Sequence, residues 1–595
     1  MSLLYEIIAF SMVQLIIGAQ KWLLRQKIII SLTVIILLVI TLLSGCVSIR
    51  NNKPREPQFQ VRALWVDPPG FRNRETVDKL IEKCRKAGIN TLLPDIMLRD
   101  EVWFKSENFI GKVHANEQYD PLAYLIEKAH AAGIKVQPWT CTYYTKPKQA
   151  DWVSKPFIDD NYDHVFLSPA HPDVNPYLLS VIKELLKYDI DGIHLDYTRY
   201  WNAAFDYSEV ARKRFKASYG FDPQDFLNHP ERIVSPAEDR YPVRMLCPNA
   251  ITSNVATLGT IERNLNRTGV GYAYISEHPA NIDALKAPGL LIISFYNNIT
   301  AEIVNALDKY VKRGGDIIWI YPENNLFRNG LNLNSLTGIT GTRGFKNERI
   351  NLQVSDGVFG KSIESLPVKM GGSSLVADNA KILARLGTNE PVVSIYTNGE
   401  GNVVVVGFQL MYSNSPQIMK YFRDVIIGLR TQAGITGPDP MGEKRKQWID
   451  WRAGYIKELF VDVTKIVKAK NPKLPVTAAS GVGPQQYHGI YRDSRELLAD
   501  KMVDYIFPMN YTDNADDLKD ILDEQKLYTP KGMSKSIYPG LKLYTLKNNA
   551  TMPMDAEIVD KQLEMVKNYG YQGFCLFANS YFSDDMVEVL KQYSR

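Results

Sequence analysis

Residues 191–200 read Asp191-Gly192-Ile193-His194-Leu195-Asp196-Tyr197-Thr198-Arg199-Tyr200, and the reading of this stretch decides the fold. It is a short apolar run that ends on a carboxylate and continues into aromatic and basic residues. At a strand's period of two, Ile193 and Leu195 share one face while Gly192, His194 and Asp196 share the other. The first pair suits the underside of helices, and the polar set suits the interior of a closed α/β barrel. In such a barrel the carboxyl ends of the strands form the functional rim. Asp196 is expected at the mouth, His194 one layer below it as a support, and Arg199 just beyond. Asp191, at the start of the strand, belongs to the opposite end, in a turn with Gly192.

Outward from this strand, short apolar runs alternate with helix-period segments, the pattern of βα units around a parallel sheet. Strands are predicted at 61–66, 90–96, 134–139 and 190–195, with helices at 74–87, 121–132 and 176–187. The pattern resumes late, with strands at 474–479, 503–508, 537–541 and 572–577 and helices at 444–468, 516–524 and 556–568. Four and four make the eight strands that close a (β/α)8 TIM barrel. The interruption has strands of its own at 244–246, 271–275, 290–295, 316–321 and 403–408, and helices at 253–266 and 301–312. It reads as a doubly wound α/β domain inserted between barrel strands four and five. The expected organisation is 59–234 for the first half-barrel, 235–435 for the insert and 436–595 for the second half.

A chain of 595 residues exceeds one ordinary domain, in keeping with this division. With 70 basic and 65 acidic side chains the charge is nearly balanced, and no Lys/Arg block marks a nucleic-acid footprint. The 33 Tyr and 9 Trp supply flat apolar rings, the usual platforms for sugar faces as well as core material. Cys46, Cys84, Cys141, Cys247 and Cys575 lie far apart, so neither a zinc site nor a disulfide scaffold is indicated. No metal or cofactor motif is found.

The amino terminus reads as an address. Arg25-Gln26-Lys27 precede the apolar run 28–43, which ends in Leu43-Ser44-Gly45-Cys46. A basic region, an apolar stretch and small residues describe a secretory signal. The cysteine makes the site resemble a bacterial lipobox, in which Cys46 would carry lipid and hold the protein on the outer face of the cell membrane or outer membrane. Residues 1–46 are then a signal whose true start lies near 24, and 47–58 a tether.

The barrel rule gathers candidate side chains onto one rim. Asp196 is the central carboxylate, able to protonate a leaving oxygen, attack an anomeric carbon or stabilise an oxocarbenium-like transition state. Glu101 is the first choice for a second carboxyl, followed by Asp95 and then Asp513. Arg199 is placed to bind substrate or to keep Asp196 ionised. Trp103, Trp139, Tyr197, Trp201, Tyr511 and Asn510 are candidate sugar contacts, each equally suited to packing.

Several segments carry a family resemblance: Val61-Arg62-Ala63-Leu64-Trp65-Val66, the helix start Tyr119-Asp120-Pro121-Leu122-Ala123-Tyr124, Leu167-Ser168-Pro169-Ala170-His171-Pro172, Asp191 to Tyr197, and Trp448-Ile449-Asp450-Trp451-Arg452. Together they resemble the glycosyl-hydrolase-like 10 family, over both half-barrels and not the insert. The resemblance implies lipoprotein or secreted barrels, one branch of which cleaves peptidoglycan strands stripped of their peptides. Members often carry His-x-Trp at the end of strand three, where this chain has Gln137-Pro138-Trp139. Within the insert, the run 290–295 followed by Tyr310-Val311-Lys312-Arg313-Gly314-Gly315 resembles class I glutamine-amidotransferase-like domains. Ser294-Phe295-Tyr296-Asn297-Asn298 stands where active members have a cysteine elbow, so a binding, lid or oligomerisation role is expected instead.

The expected function is an extracytoplasmic glycoside hydrolase acting on a polysaccharide. The alternatives are a barrel that binds glycan without cutting it and a polysaccharide de-esterase or deacetylase.

Overall fold

The computed structural model describes residues 59–594 apart from 147–148, 159–165, 248–254, 295–298, 328–330, 413–414 and the single positions 323, 332, 388, 482, 484 and 549. The signal, tether and lipidation readings at 1–58, and the elbow comparison at 295–298, lie outside the described residues. Among those described, no helix is long and apolar enough to cross a membrane.

The chain opens with β1 (Val61–Val66), β2 (Thr91–Leu98), β3 (Trp139–Cys141) and β4 (Ile193–Asp196). The segment expected as one strand at 134–139 is two, Lys135–Val136 and then β3, each paired with β2. Pro138 lies at the break and has no N–H to offer a ladder. The helix between β1 and β2, Arg74–Ala87, shows how local sequence sets an element. The Asn73 side chain accepts from Thr76 N at its start, Gly88 ends it at φ 71°, and Val77, Leu80, Ile81 and Cys84 form the buried stripe.

The insert follows, with β5 (Val243–Cys247), β6 (Ala273–Ser276), β7 (Gly289–Ser294), β8 (Gly315–Ile320), β9 (Ile339–Val354), β10 (Ile363–Ala377), β11 (Lys381–Leu386), β12 (Pro391–Asn398) and β13 (Gly401–Val406). Its sheet runs β10-β9-β11-β12-β13-β8-β7-β5-β6. The five strands foreseen form its parallel part. Alternate residues supply two cores: Leu246, Leu291, Ile293, Ile317 and Trp319 pack with the helix Ala301–Lys312, while Met245, Leu290, Ile292 and Ile318 share a core with the helix Val255–Thr268. The antiparallel extension β9–β12 was not foreseen, so the sheet is mixed rather than purely doubly wound.

The barrel resumes with β14 (Val476–Ala479), β15 (Tyr505–Phe507), β16 (Gly540–Lys542) and β17 (Gly573–Phe577). The order is β15-β14-β4-β3-β2-β1-β17-β16, all parallel. Isolated bridges Ile506–Ile537 and Met509–Gly540 draw the last gap nearly shut. Ala63, Trp65, Leu93, Trp139, Cys141, Ala479, Phe507, Tyr538 and Cys575 fill the interior, whereas Ile193 and Leu195 face the helix layer. The 31-residue helix Pro440–Lys470 ties barrel to insert. Its Arg445 meets Glu262 of the insert at 2.7 Å, both buried, and its Arg452 guanidinium lies 3.8 Å from the Tyr491 ring.

Candidate active site

The mouth is built on three adjacent strands. Register sets Asp95 of β2 opposite Trp139 of β3, and Cys141 of β3 opposite Asp196 of β4. With neighbouring strands ~4.8 Å apart, the backbones carrying the two carboxylates stand on the order of 10 Å from each other. The Cys141 thiol lies between, 3.7 Å and 3.8 Å from the Asp95 oxygens. Both carboxylates are buried, Asp95 2% and Asp196 6% exposed.

Their surroundings separate them. Burial, then the charges of Asp196 and Asp67, push Asp95 well above the usual carboxylate range, with only weak relief from Cys141 and Met97 N. Burial also raises Asp196, but the Tyr197 N–H, Arg199, Arg492 and the Trp139 indole all favour its charged form. The Tyr197 N–H donates to Asp196 Oδ1 at 2.6 Å. To do so Tyr197 adopts φ 46°, a left-handed conformation that is strained for a residue with a side chain. Trp139 Nε1 lies near Asp196 yet closes no hydrogen bond and is buried. Both are raised, Asp95 the more strongly, so the pair offers a proton holder, Asp95, beside Asp196, whose contacts hold its rise to a smaller one.

Beneath them, His194 is fully buried. Trp65 Nε1 donates to its Nε2 at 3.0 Å, and its Nδ1 lies 2.8 Å from Thr477 Oγ1. An Nε2 that accepts must be unprotonated, so the proton sits on Nδ1 and points at Thr477. Burial depresses its pKa to about 3, which keeps it neutral. His194 is thus a fixed support under the rim. A cavity of ≈ 510 Å³ lined by Gln137, Asp191, Pro475 and Thr477 opens at the other end of the barrel, away from the carboxylates.

The remaining candidates divide. Tyr197 stacks on Tyr144 at 4.8 Å, and the Arg199 guanidinium lies 4.8 Å from the Tyr197 ring while donating to Tyr200 O and Trp201 O. Tyr511 stacks on Phe577 at 5.4 Å and turns an edge to Trp65. These rings stay half-buried at the rim. Glu101 is placed elsewhere, on a short strand that folds back on β2. There His114 Nε2 at 3.1 Å and Lys112 Nζ at 3.4 Å hold it. Burial is the largest single influence and raises its pKa, but His114 and Lys112 together outweigh it and bring the carboxyl below its ordinary value. Trp103 is 7% exposed and stacked on His114 at 4.8 Å, so it packs rather than presents a face. Asn510 turns its amide into Gln525, and Asp513 pairs with Lys542 and Thr545.

Two rim residues were not singled out from sequence. Cys141 shares the inward parity of Trp139 two positions earlier, which would have found it. Arg492 follows the helix Gln485–Ile490 beyond β14 and has no local signature. It is 3% exposed, and burial, then the neighbouring Arg199, bring its pKa down to about 9, with Asp196 acting the other way.

A parallel barrel with paired carboxylates and aromatic rings at the carboxyl ends of its strands defines a glycosyl-hydrolase-like protein. The chain belongs to the Glycosyl hydrolase-like 10 family, whose model matches residues 60–228 and 427–559, half of the chain and both half-barrels. Glycosyl hydrolase DigH of Escherichia coli (strain K12) is 26% identical over 189 residues, 26% of this chain and 42% of that protein. Glycosyl hydrolase YngK of Bacillus subtilis (strain 168) is 24% identical over 171 residues, 23% of this chain and 32% of that protein. The matched stretch thus spans less than half the length of these curated relatives. Among solved structures, the PgaB (BpsB) glycoside hydrolase domain from Bordetella bronchiseptica is 10% identical with a TM-score of 0.43, covering 90% of this chain and 98% of that one.

Proposed function

We propose that this chain is a glycosidase that cleaves a polysaccharide at the mouth formed by β2, β3 and β4. The observation that carries the reading is the contrast between Asp95 and Asp196 around Cys141. Asp196, ionised, faces the anomeric carbon; Asp95, protonated, supplies the proton to the leaving oxygen. Tyr197, Tyr144 and Tyr511 hold sugar faces. Peptide-free peptidoglycan strands are the substrate the family resemblance favours. The site of action is extracytoplasmic, reached through a lipid on Cys46. The insert is a catalytically silent relative of class I glutamine-amidotransferase-like domains that binds a partner or a second copy of the chain.

One observation favours the rival reading of a glycan-binding barrel that does not cut: both carboxylates are nearly closed off from solvent. The two readings part when the purified protein is incubated with peptide-free peptidoglycan strands and a polysaccharide panel, and products are read by mass spectrometry. Defined oligosaccharides support the glycosidase. Retention on one glycan without products would establish the rival.

A further inference from the structure

Arg492 is a buried cation whose hydrogen-bonding groups are largely unused. Its Nε and Nη1 have no partner, and its Nη2 reaches Gln486 Oε1 only at 3.4 Å. Gln486 is itself anchored by Ser480 Oγ, at 3.0 Å, beyond the carboxyl end of β14. No ion pair joins Arg492 to Asp196 or to another carboxylate among the described residues, although it lies within electrostatic reach of Asp196 and Arg199. Buried donors are almost always satisfied, and a buried guanidinium left open is costly.

We infer that Arg492 is the receptor for a carboxylate carried by the sugar bound beside Asp196, so that the glycan taken by this rim is acidic. The inference rests on the reading that the rim binds glycan, and not on whether it cuts. A guanidinium presents parallel N–H groups matched to a planar carboxylate. Asp196 offsets part of the guanidinium charge without filling its Nε and Nη1 donors; a sugar hydroxyl would fill a donor and add no charge, whereas a carboxylate does both. A doubly charged phosphate would fit less well, because Asp196 stands close by with its own negative charge.

The test measures binding in the Asp196→Asn protein, so that turnover plays no part. The probes are two carboxylated glycans, peptide-free peptidoglycan strands and polygalacturonate, each with a form whose carboxylates have been converted to neutral amides. At least one acidic glycan is expected to bind tenfold or more tightly than its amidated form. Arg492→Met on the same background should bring the two forms within about twofold, and Arg492→Lys should retain part of the preference. Equal or absent binding of both forms by protein with Arg492 intact would overturn the proposal, a comparison that needs no folded Arg492 variant. An undiminished preference in Arg492→Met would overturn it as well. Failure of the glycosidase reading shows separately, as wild-type protein that prefers the acidic form and releases no products.

Discussion

Trp65 of β1 and His194 of β4 meet across the barrel interior, indole N–H to imidazole Nε2 at 3.0 Å, and this contact fixes the protonation of the histidine. With Nε2 accepting, the neutral Nδ1–H tautomer points at Thr477. In selectively labelled protein, nuclear magnetic resonance should find this imidazole neutral down to about pH 4, against the ordinary value near 6.5. The unfolded chain takes up a proton below 6.5 that the folded chain refuses until about 3. Stability from this group is therefore complete above pH 6.5 and is lost as pH falls, by about 1.4 kcal/mol per unit. A His194 that titrates near 6.5 would contradict the arrangement.

Asp95 has the opposite sign. Its folded pKa is raised, so it costs nothing while protonated and becomes a growing liability as pH climbs above the unfolded carboxylate value near 3.8. Asp95→Asn imitates the protonated form. Its melting temperature relative to wild type should rise from pH 4 to pH 8 and level off once the folded pKa is passed. A gap that is constant or narrows with pH would show that Asp95 is ionised in the folded protein.

Glu101 provides the contrast. It sits in a partly exposed pair with Lys112 and His114, the kind of contact worth ~0–1 kcal/mol. Glu101→Gln should leave product formation within about twofold of wild type and shift stability by less than ~1 kcal/mol. A loss like that of Asp196→Asn would restore Glu101 as the second carboxyl.

The insert braces the rim. Asn266 of its helix Val255–Thr268 donates to His488 O at 3.4 Å, and a Cβ built on Gly489 would lie 2.8 Å from Arg263 Cδ. Both contacts fall on the segment that leads to Arg492. Gly489→Val should push this segment off the insert and lower kcat/KM by about tenfold through misplacement, with a fall of only a few degrees in Tm. Unchanged kinetics would show that the segment is held without the insert.

Much of this architecture was legible because barrel strands and amphipathic helices announce themselves locally. β1 and the helices Arg74–Ala87, Ala301–Lys312 and Ala556–Asn568 have the bounds their periodicity predicts. The parity of Ile193, His194, Leu195 and Asp196 follows from the strand's period alone. The antiparallel strands β9 and β10 were missed because Gly341, Gly344, Gly371 and Gly372 weaken the strand signal and alternation there is poor. The sequence ranks Glu101 over Asp95 because spacing along a chain does not tell whether a residue past a strand's end turns inward or folds back beside it; the structure buries Asp95 at the mouth and sets Glu101 on a strand folded back against β2. Arg492 was hidden since only the return of the helix Gln485–Ile490 brings it to the rim.

The central claim is that Asp196 and Asp95 together cleave a glycosidic bond, and the most direct test is the rate of product release by wild type, Asp196→Asn and Asp95→Asn on whichever glycan the wild type digests. The account predicts a fall of about 10³-fold or more for Asp196→Asn with glycan binding retained, and about 10²-fold or more for Asp95→Asn. Products released by either variant at the wild-type rate, or none released by the wild type from any glycan it binds, would contradict it.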